Sequence, residues 1–347
     1  MTAHLTRDSL IRADRIAHDL VDRSFLKEQD FTVLEWQYLL DLTQRLKLEH
    51  VIGMKRARLT GKNVALVLEE ASTRTRCAFE VAAHHQGAHV THLDPEGSHL
   101  GHRESVKDTA RVLGRMYDGL GYHGLSQATV ELLARHAGVP VWNAMTDEWH
   151  PTQSLADMFS MREATGKPDG EIAFAYCGDA RSNVANSLLV AGAMLGMDVR
   201  MVGPEELWNP SAVVETARRI AGETGARITH TSDVAAGVAG VDVVHSDVWV
   251  PVGEPATAWA DRITLLRPYQ VNAALLQQIG NPDVKVMHRL PALHNRASGL
   301  GHELHVAHGL SALEVTEDVF ESDHSIVFDQ AENRMHAIEA VLVATLG

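Results

Sequence analysis

Cysteine is scarce in this chain, two residues in 347, and no disulfide framework can be built from Cys77 and Cys177. Each stands in an apolar setting beside a strand-to-helix turn, where a thiol is expected to act as a small hydrophobe. No apolar run approaches the ~20 residues that a membrane-crossing helix needs. The opening Met1-Thr-Ala-His-Leu-Thr-Arg-Asp8 lacks a signal-peptide core, so a cytoplasmic protein is expected. Basic residues are in deficit: 31 Lys and Arg against 45 Asp and Glu give a formal charge of -14. That excludes nucleic acid and acidic membranes as partners, since either would need a basic face. An anionic small molecule needs only local positive charge, which Arg74, Arg76, Arg103 and Lys107 can supply. Internal repeats and low-complexity tracts are absent too.

Apolar residues make up 45% and charged residues 22%, the balance of a soluble globular protein, and the length exceeds one comfortable core. Two domains are therefore expected. Short apolar strands, read at 64–68, 89–93, 119–123 and 139–142, alternate with helical stretches in the first half. The second half repeats the pattern with strands at 172–177, 199–202, 228–231, 241–245 and 285–288. Amphipathic segments at 105–116, 127–136, 154–165 and 210–224 read as helices, and 329–346 as a last one. Such alternation predicts an α/β protein of two doubly wound parallel-sheet domains. The polar stretch Gly166-Lys-Pro-Asp-Gly170 is the clearest break between them.

Directly after the apolar run Val64–Leu68 comes Ser72-Thr73-Arg74-Thr75-Arg76, leading into Cys77-Ala-Phe79-Glu80. A buried strand thus ends in a turn of hydroxyls and guanidinium groups that opens a helix. Backbone N–H groups, hydroxyls and a forked cation at the positive end of a helix dipole make a phosphate cradle. The plainer reading is an N-cap, Ser72 or Thr73, followed by two solvated arginines. A cap needs one such residue, whereas here hydroxyls and arginines alternate over five positions.

The same five residues resemble the carbamoyl-phosphate-binding motif of the aspartate and ornithine carbamoyltransferases. Further stretches resemble the ornithine branch in order and spacing: Gly101–Asp118, Val139-Pro-Val-Trp-Asn143, His150-Pro-Thr-Gln153 and Gly178-Asp-Ala-Arg-Ser-Asn183. Ser246-Asp-Val-Trp-Val250, His288-Arg-Leu-Pro-Ala292 and Glu332-Asn-Arg-Met335 complete the set. The resemblance implies a carbamoyl-phosphate domain of residues 1–152 with 325–347 and an amino-acid domain of 153–324, joined by crossing helices. It implies a homotrimer and a cis peptide before Pro291.

By the same resemblance Ser72, Thr73, Arg74 and Thr75 hold the phosphate, with His99, His123 and Leu290 at the same substrate. His150 and Gln153 contact the carbamoyl group, and Arg334 reaches in from the last helix. In the reaction an amine attacks the carbamoyl carbon, charge builds on its oxygen, and phosphate leaves. Arg74 and His150 are the donors for that oxygen, and the Gln153 amide can accept from the carbamoyl NH₂. Asn183, Asp247, Pro251 and Val252 fall where the family binds the amino acid. No metal, cofactor or covalent intermediate is called for by this chemistry. His302, His305 and His308, and the pairs His84-His85 and His99 with His102, have no clear carboxylate or thiolate partner.

Several positions depart from the family. His123 stands for a phosphate-binding arginine, and His99 for a glutamine that reaches over from the neighbouring subunit. Pro251 and Val252 replace a Ser-Met pair, and Arg289 replaces the cysteine of His-Cys-Leu-Pro. A histidine titrates and binds at one point where an arginine is a permanent fork. Arg289 is expected to compensate as a catalytic cation, to repel protonated ornithine and to favour an acceptor bearing a carboxylate. The expected function is carbamoyl transfer to ornithine, giving citrulline. Transfer to another amino acid or diamine, and a non-catalytic anion-binding relative, remain as alternatives.

Overall fold

The computed structural model describes residues 7–94, 104–250 and 257–347. It divides into two compact units, Met1–Phe159 with Asn333–Gly347, and Ser160–Glu332. The divisions fall inside two helices, Pro151–Thr165 and Val327–Leu346.

The first unit is built on a four-stranded parallel sheet: β1 (Asn63–Leu68), β2 (His89–Leu93), β3 (Gly119–His123) and β4 (Val141–Met145), in the order β2-β1-β3-β4. β3 is buried throughout and β1 from its second residue on, whereas the edge strand β2 is partly exposed along its length. Continuous burial on inner strands explains their unbroken apolar runs, since helices cover both faces of a parallel sheet. The second unit holds five parallel strands, β5 (Ala173–Cys177), β6 (Asp198–Val202), β7 (Arg227–Thr231), β8 (Val243–Ser246) and β9 (Lys285–His288), ordered β7-β6-β5-β8-β9. Val199, Val202, Val243, Val244 and Val286 lie buried in this sheet. Each contributes on the order of 1.5–3 kcal/mol relative to exposure.

The α/β reading with two parallel sheets holds, and the differences lie at element ends. The fourth strand runs 141–145 instead of 139–142. Pro140 has no N–H for a ladder and stays at its entry, lending only its carbonyl to Leu120. The helix read from Ser154 begins at Pro151, whose fixed φ and missing N–H suit a first helical position. Cys177 is buried as expected, but Cys77 is exposed on the helix Thr73–His85, one residue before that helix turns Ala78 and Phe79 to the core.

Strand order is what sequence reading leaves open, and it locates the candidate sites. Open parallel sheets bind ligands at the carboxyl ends of strands where the order reverses. In the first sheet that point lies between β1 and β3, and in the second between β5 and β8.

Candidate active site

At the first reversal, β1 leads to Ser72, which caps the helix Thr73–His85 through its own side chain, Oγ accepting from Thr75 N at 3.4 Å. Thr73 and Arg74 are exposed on the first turn, whereas Thr75 is fully buried. Thr75 Oγ1 is the centre of a network. Ser72 Oγ donates to it at 3.0 Å, and Arg334 Nη2 donates to it at 3.0 Å and to Ala144 O at 3.2 Å. His123 Nδ1 lies 3.3 Å from Thr75 Oγ1. His123, the last residue of β3, pairs with Leu68 of β1 and is 5% exposed. The N-cap and the proposed cradle are therefore one structure.

Next to it Glu69 Oε2 accepts from Tyr122 Oη at 2.7 Å. Burial and that bond raise the Tyr122 pKa beyond its ordinary range. Gly124 lies against both groups: a Cβ there would stand 2.3 Å from Glu69 Oε2 and 2.4 Å from Tyr122 Oη. Glycine is thus favoured by close approach rather than by backbone angle.

Beyond β4 the chain turns tightly to reach His150. Thr146 N donates to Trp149 O at 3.0 Å, and Thr146 Oγ1 to Gln127 Oε1 at 2.8 Å. Asn143 Nδ2 spans the loop to Leu26 O at 2.9 Å. The turn delivers His150, 1% exposed, to the start of the helix Pro151–Thr165, where its carbonyl accepts from Gln153 N and Ser154 N. Gln153 is itself 3% exposed, and its Nε2 donates to Asp157 Oδ1 at 2.7 Å one turn on. With the nitrogen so engaged, the amide presents its oxygen on the other side.

In the second unit, Asn183 is half-buried at the first position of the helix Asn183–Met194, capped by Ser182. Tyr176 Oη lies 3.1 Å from Ser182 Oγ, and its ring stacks on His245 at 5.8 Å. The preceding Asp179 is bridged to Arg181 at 2.7 Å and to Arg262. Burial alone would raise the Asp179 pKa; the arginine contacts outweigh it and hold the carboxyl below its usual range.

Asp247 follows β8 directly and has a side chain 1% exposed. Neither of its oxygens makes a hydrogen bond among the described residues, and Arg289 Nε stands 3.4 Å from Oδ1. Beneath them Gln330 joins the two strands, accepting from His288 N at 2.9 Å and lying 3.2 Å from His245 Nε2. Burial pushes the His288 pKa down to about 3, so this ring is neutral. Glu314, fully buried, accepts from Leu293 N at 2.9 Å and from Trp249 N at 3.3 Å, and burial pushes its carboxyl up to about 7. The Leu290–Pro291 peptide is cis.

The structure therefore gathers Ser72, Thr73, Arg74, Thr75, His123 and Arg334 around the start of one helix, with His150 and Gln153 opening another in the same unit. Asn183, Asp247, Arg289 and Leu290 lie in the second. His99, Pro251 and Val252 fall outside the described residues. Glu314, His288 and Gln330 support the second cluster without having been anticipated. Elsewhere, His294, Glu317 and Glu321 bring ligand atoms within 4.8 Å of one another. Two of these are committed to each other, His294 bonding to Glu317.

The sheet orders define a protein of two α/β units, and comparison with known proteins gives its class. Residues 23–163 match the carbamoyl-P binding domain of aspartate/ornithine carbamoyltransferase, and residues 170–345 match its Asp/Orn binding domain. Ornithine carbamoyltransferase from Pyrococcus furiosus is 37% identical, with a TM-score of 0.86 over 94% of this chain and 98% of that one. The Gloeobacter violaceus enzyme is 37% identical with a TM-score of 0.78, over 94% and 99%. That from Thermus thermophilus is 34% identical at 0.78, over 93% and 99%. The chain belongs to the aspartate/ornithine carbamoyltransferase family and is a carbamoyl-transferring enzyme. No helix among the described residues is long and apolar enough to cross a membrane.

Proposed function

We propose that the protein moves the carbamoyl group of carbamoyl phosphate to the side-chain amine of ornithine, giving citrulline and phosphate. The observation that carries this reading is the buried Arg334–Thr75–His123 network at the reversal point of the first sheet. It holds the first turn of a helix in place, where backbone N–H groups and the positive end of the dipole favour a phosphate. In this reading Ser72, Thr73, Arg74 and Thr75 take the phosphate oxygens, with Arg334 and His123 around the same substrate. Arg74 and His150 face the carbamoyl oxygen as charge develops on it; one such donor is worth ~2.7–4 kcal/mol. The Gln153 oxygen receives the carbamoyl NH₂, an orientation favoured by the bond from its nitrogen to Asp157. Asn183 and Asp247 hold the amino-acid end.

The ornithine acceptor is supported by the neighbours, each of which is an ornithine enzyme. The test is incubation with carbamoyl phosphate and ornithine, aspartate or putrescine, followed by mass spectrometry of ureido products. Citrulline formation is expected, and carbamoyl-aspartate alone would overturn the ornithine reading. A homotrimer is proposed in addition; light scattering should return three times the chain mass.

A further inference from the structure

Asp247 stands at the reversal point of the second sheet, inside the region that matches an Asp/Orn binding domain. A carboxylate this deeply buried is costly without a counter-charge. Its two oxygens have no hydrogen bond among the described residues, so both remain able to accept one from a ligand. The counter-charge it does have is Arg289, 3.4 Å away and 18% exposed, within reach of solvent and therefore of substrate. Two further titratable groups lie close by. His288 is neutral, and the Glu314 carboxyl is pushed up to about 7 by burial.

Asp247 therefore already has a cation beside its carboxylate. A second ammonium on an acceptor would have to share the carboxylate with a guanidinium already beside it, and like charges in a buried site repel strongly. An acceptor that has a carboxylate and no second ammonium meets no such competition. Building on the carbamoyl-transfer reading above, we propose that Arg289 is a specificity-determining residue. By covering Asp247 it removes the advantage of a diamino acid, and the enzyme also carbamoylates primary amines that carry a carboxylate but no second ammonium. The reaction on such an amine is the same. The neutral nitrogen forms a bond to the carbamoyl carbon, the carbon–oxygen bond to phosphate breaks, and the proton lost by nitrogen leaves with phosphate as HPO₄²⁻. Ornithine is still accepted, because the Asp247 oxygens retain capacity for its N–H groups.

Ornithine and 5-aminopentanoate differ by the α-ammonium alone and make the discriminating pair. Their kcat/KM values would be measured with saturating carbamoyl phosphate for the wild type, Arg289→Cys and Arg289→Lys. We expect the two amines to lie within about tenfold of each other in the wild type. Arg289→Cys should shift the ratio at least tenfold toward ornithine, through a lower KM, and Arg289→Lys should keep the wild-type ratio. Arg289→Gln serves as a second neutral variant if the cysteine variant fails to fold. A wild-type preference for ornithine above tenfold that neither neutral variant changes would overturn the role of Arg289 and leave carbamoyl transfer standing. No ureido product from any amine would overturn the transfer reading, and this proposal with it.

Discussion

Arg334 Nη2 and Thr75 Oγ1 lie 3.0 Å apart although 259 residues separate them in the chain. The last helix thereby reaches the first-strand turn and ties it down through one hydroxyl. The same oxygen meets Ser72 and His123, so its removal breaks three contacts while leaving the side-chain volume nearly unchanged.

Thr75→Val is accordingly expected to lower kcat/KM for carbamoyl phosphate by roughly tenfold to hundredfold. That corresponds to the ~1.5–3 kcal/mol of a hydrogen bond to a charged group. Thr75→Ser keeps the hydroxyl and should retain most of the activity. Steady-state kinetics on both variants, with a melting curve to confirm folding, decides the matter. A loss in Thr75→Ser with none in Thr75→Val would show that the methyl group, not the network, is responsible.

Two glycine-to-alanine changes should part company. At Gly124 the new methyl meets the side chains of Glu69 and Tyr122 well inside van der Waals contact, so these must be displaced and their mutual bond disturbed. Overpacking of this kind costs ~1–3 kcal/mol, and because His123 is the neighbouring residue, the KM for carbamoyl phosphate should rise as well. At Gly222, in the helix Ser211–Thr224, a Cβ meets nothing within 4 Å. There the change should be neutral or stabilise by up to about 1 kcal/mol through helix propensity. Calorimetry of the two variants reads both signs at once.

Two buried groups in the second unit make opposing contributions to the pH dependence of stability. His288 is held at about 3 against an ordinary 6.5, so between those values only the unfolded chain takes up the proton and stability rises with pH. Glu314 is held at about 7 against 4.5, so between those values only the folded chain keeps the proton and stability falls as pH rises. Each slope is about 1.4 kcal/mol per pH unit, and they cancel between pH 4.5 and 6.5. Glu314→Gln should unmask the histidine: its denaturation free energy should climb with pH across that window more steeply than the wild type's, by about that amount. Urea titrations at pH 5 and 6 test this, and parallel wild-type and variant lines would refute the assignment.

The inner strand β1 was legible in the sequence because a parallel sheet covered on both faces needs an unbroken apolar run, whereas 89–93, 119–123 and 285–288 are mixed and were legible through their alternation with helical stretches. The start of the helix after β1 was legible because a hydroxyl at a strand end suits an N-cap, the place Ser72 takes. Partners distant in the chain were not. Nothing local to Gln330 says that it will join His245 to His288, and nothing around Glu314 says that two backbone N–H groups will meet it. Arg289 was read as a cation in search of an anion. Its nearness to Asp247 needed the pairing of β8 with β9, which brings the ends of the two strands side by side.

Gln153 offers the sharpest chemical test, because its amide is oriented by a carboxylate one turn away. Gln153→Glu would place a second carboxylate against Asp157, at the 2.7 Å where an N–H now donates. Two carboxylates at that distance cannot both ionise, and one proton shared between them replaces the lost N–H only when the pH is low enough. At pH 8 the variant should therefore lose activity by about a hundredfold, the scale on which misplacing a reacting group acts. Relative to the wild type at each pH, its rate should recover as the solution is taken toward pH 5.5. Gln153→Met, which has no proton to share, should show the loss without the recovery. Measured as a ratio of variant to wild type, the comparison cancels the protonation of the amine acceptor. A flat ratio for Gln153→Glu would mean that Asp157 does not set the orientation of this amide.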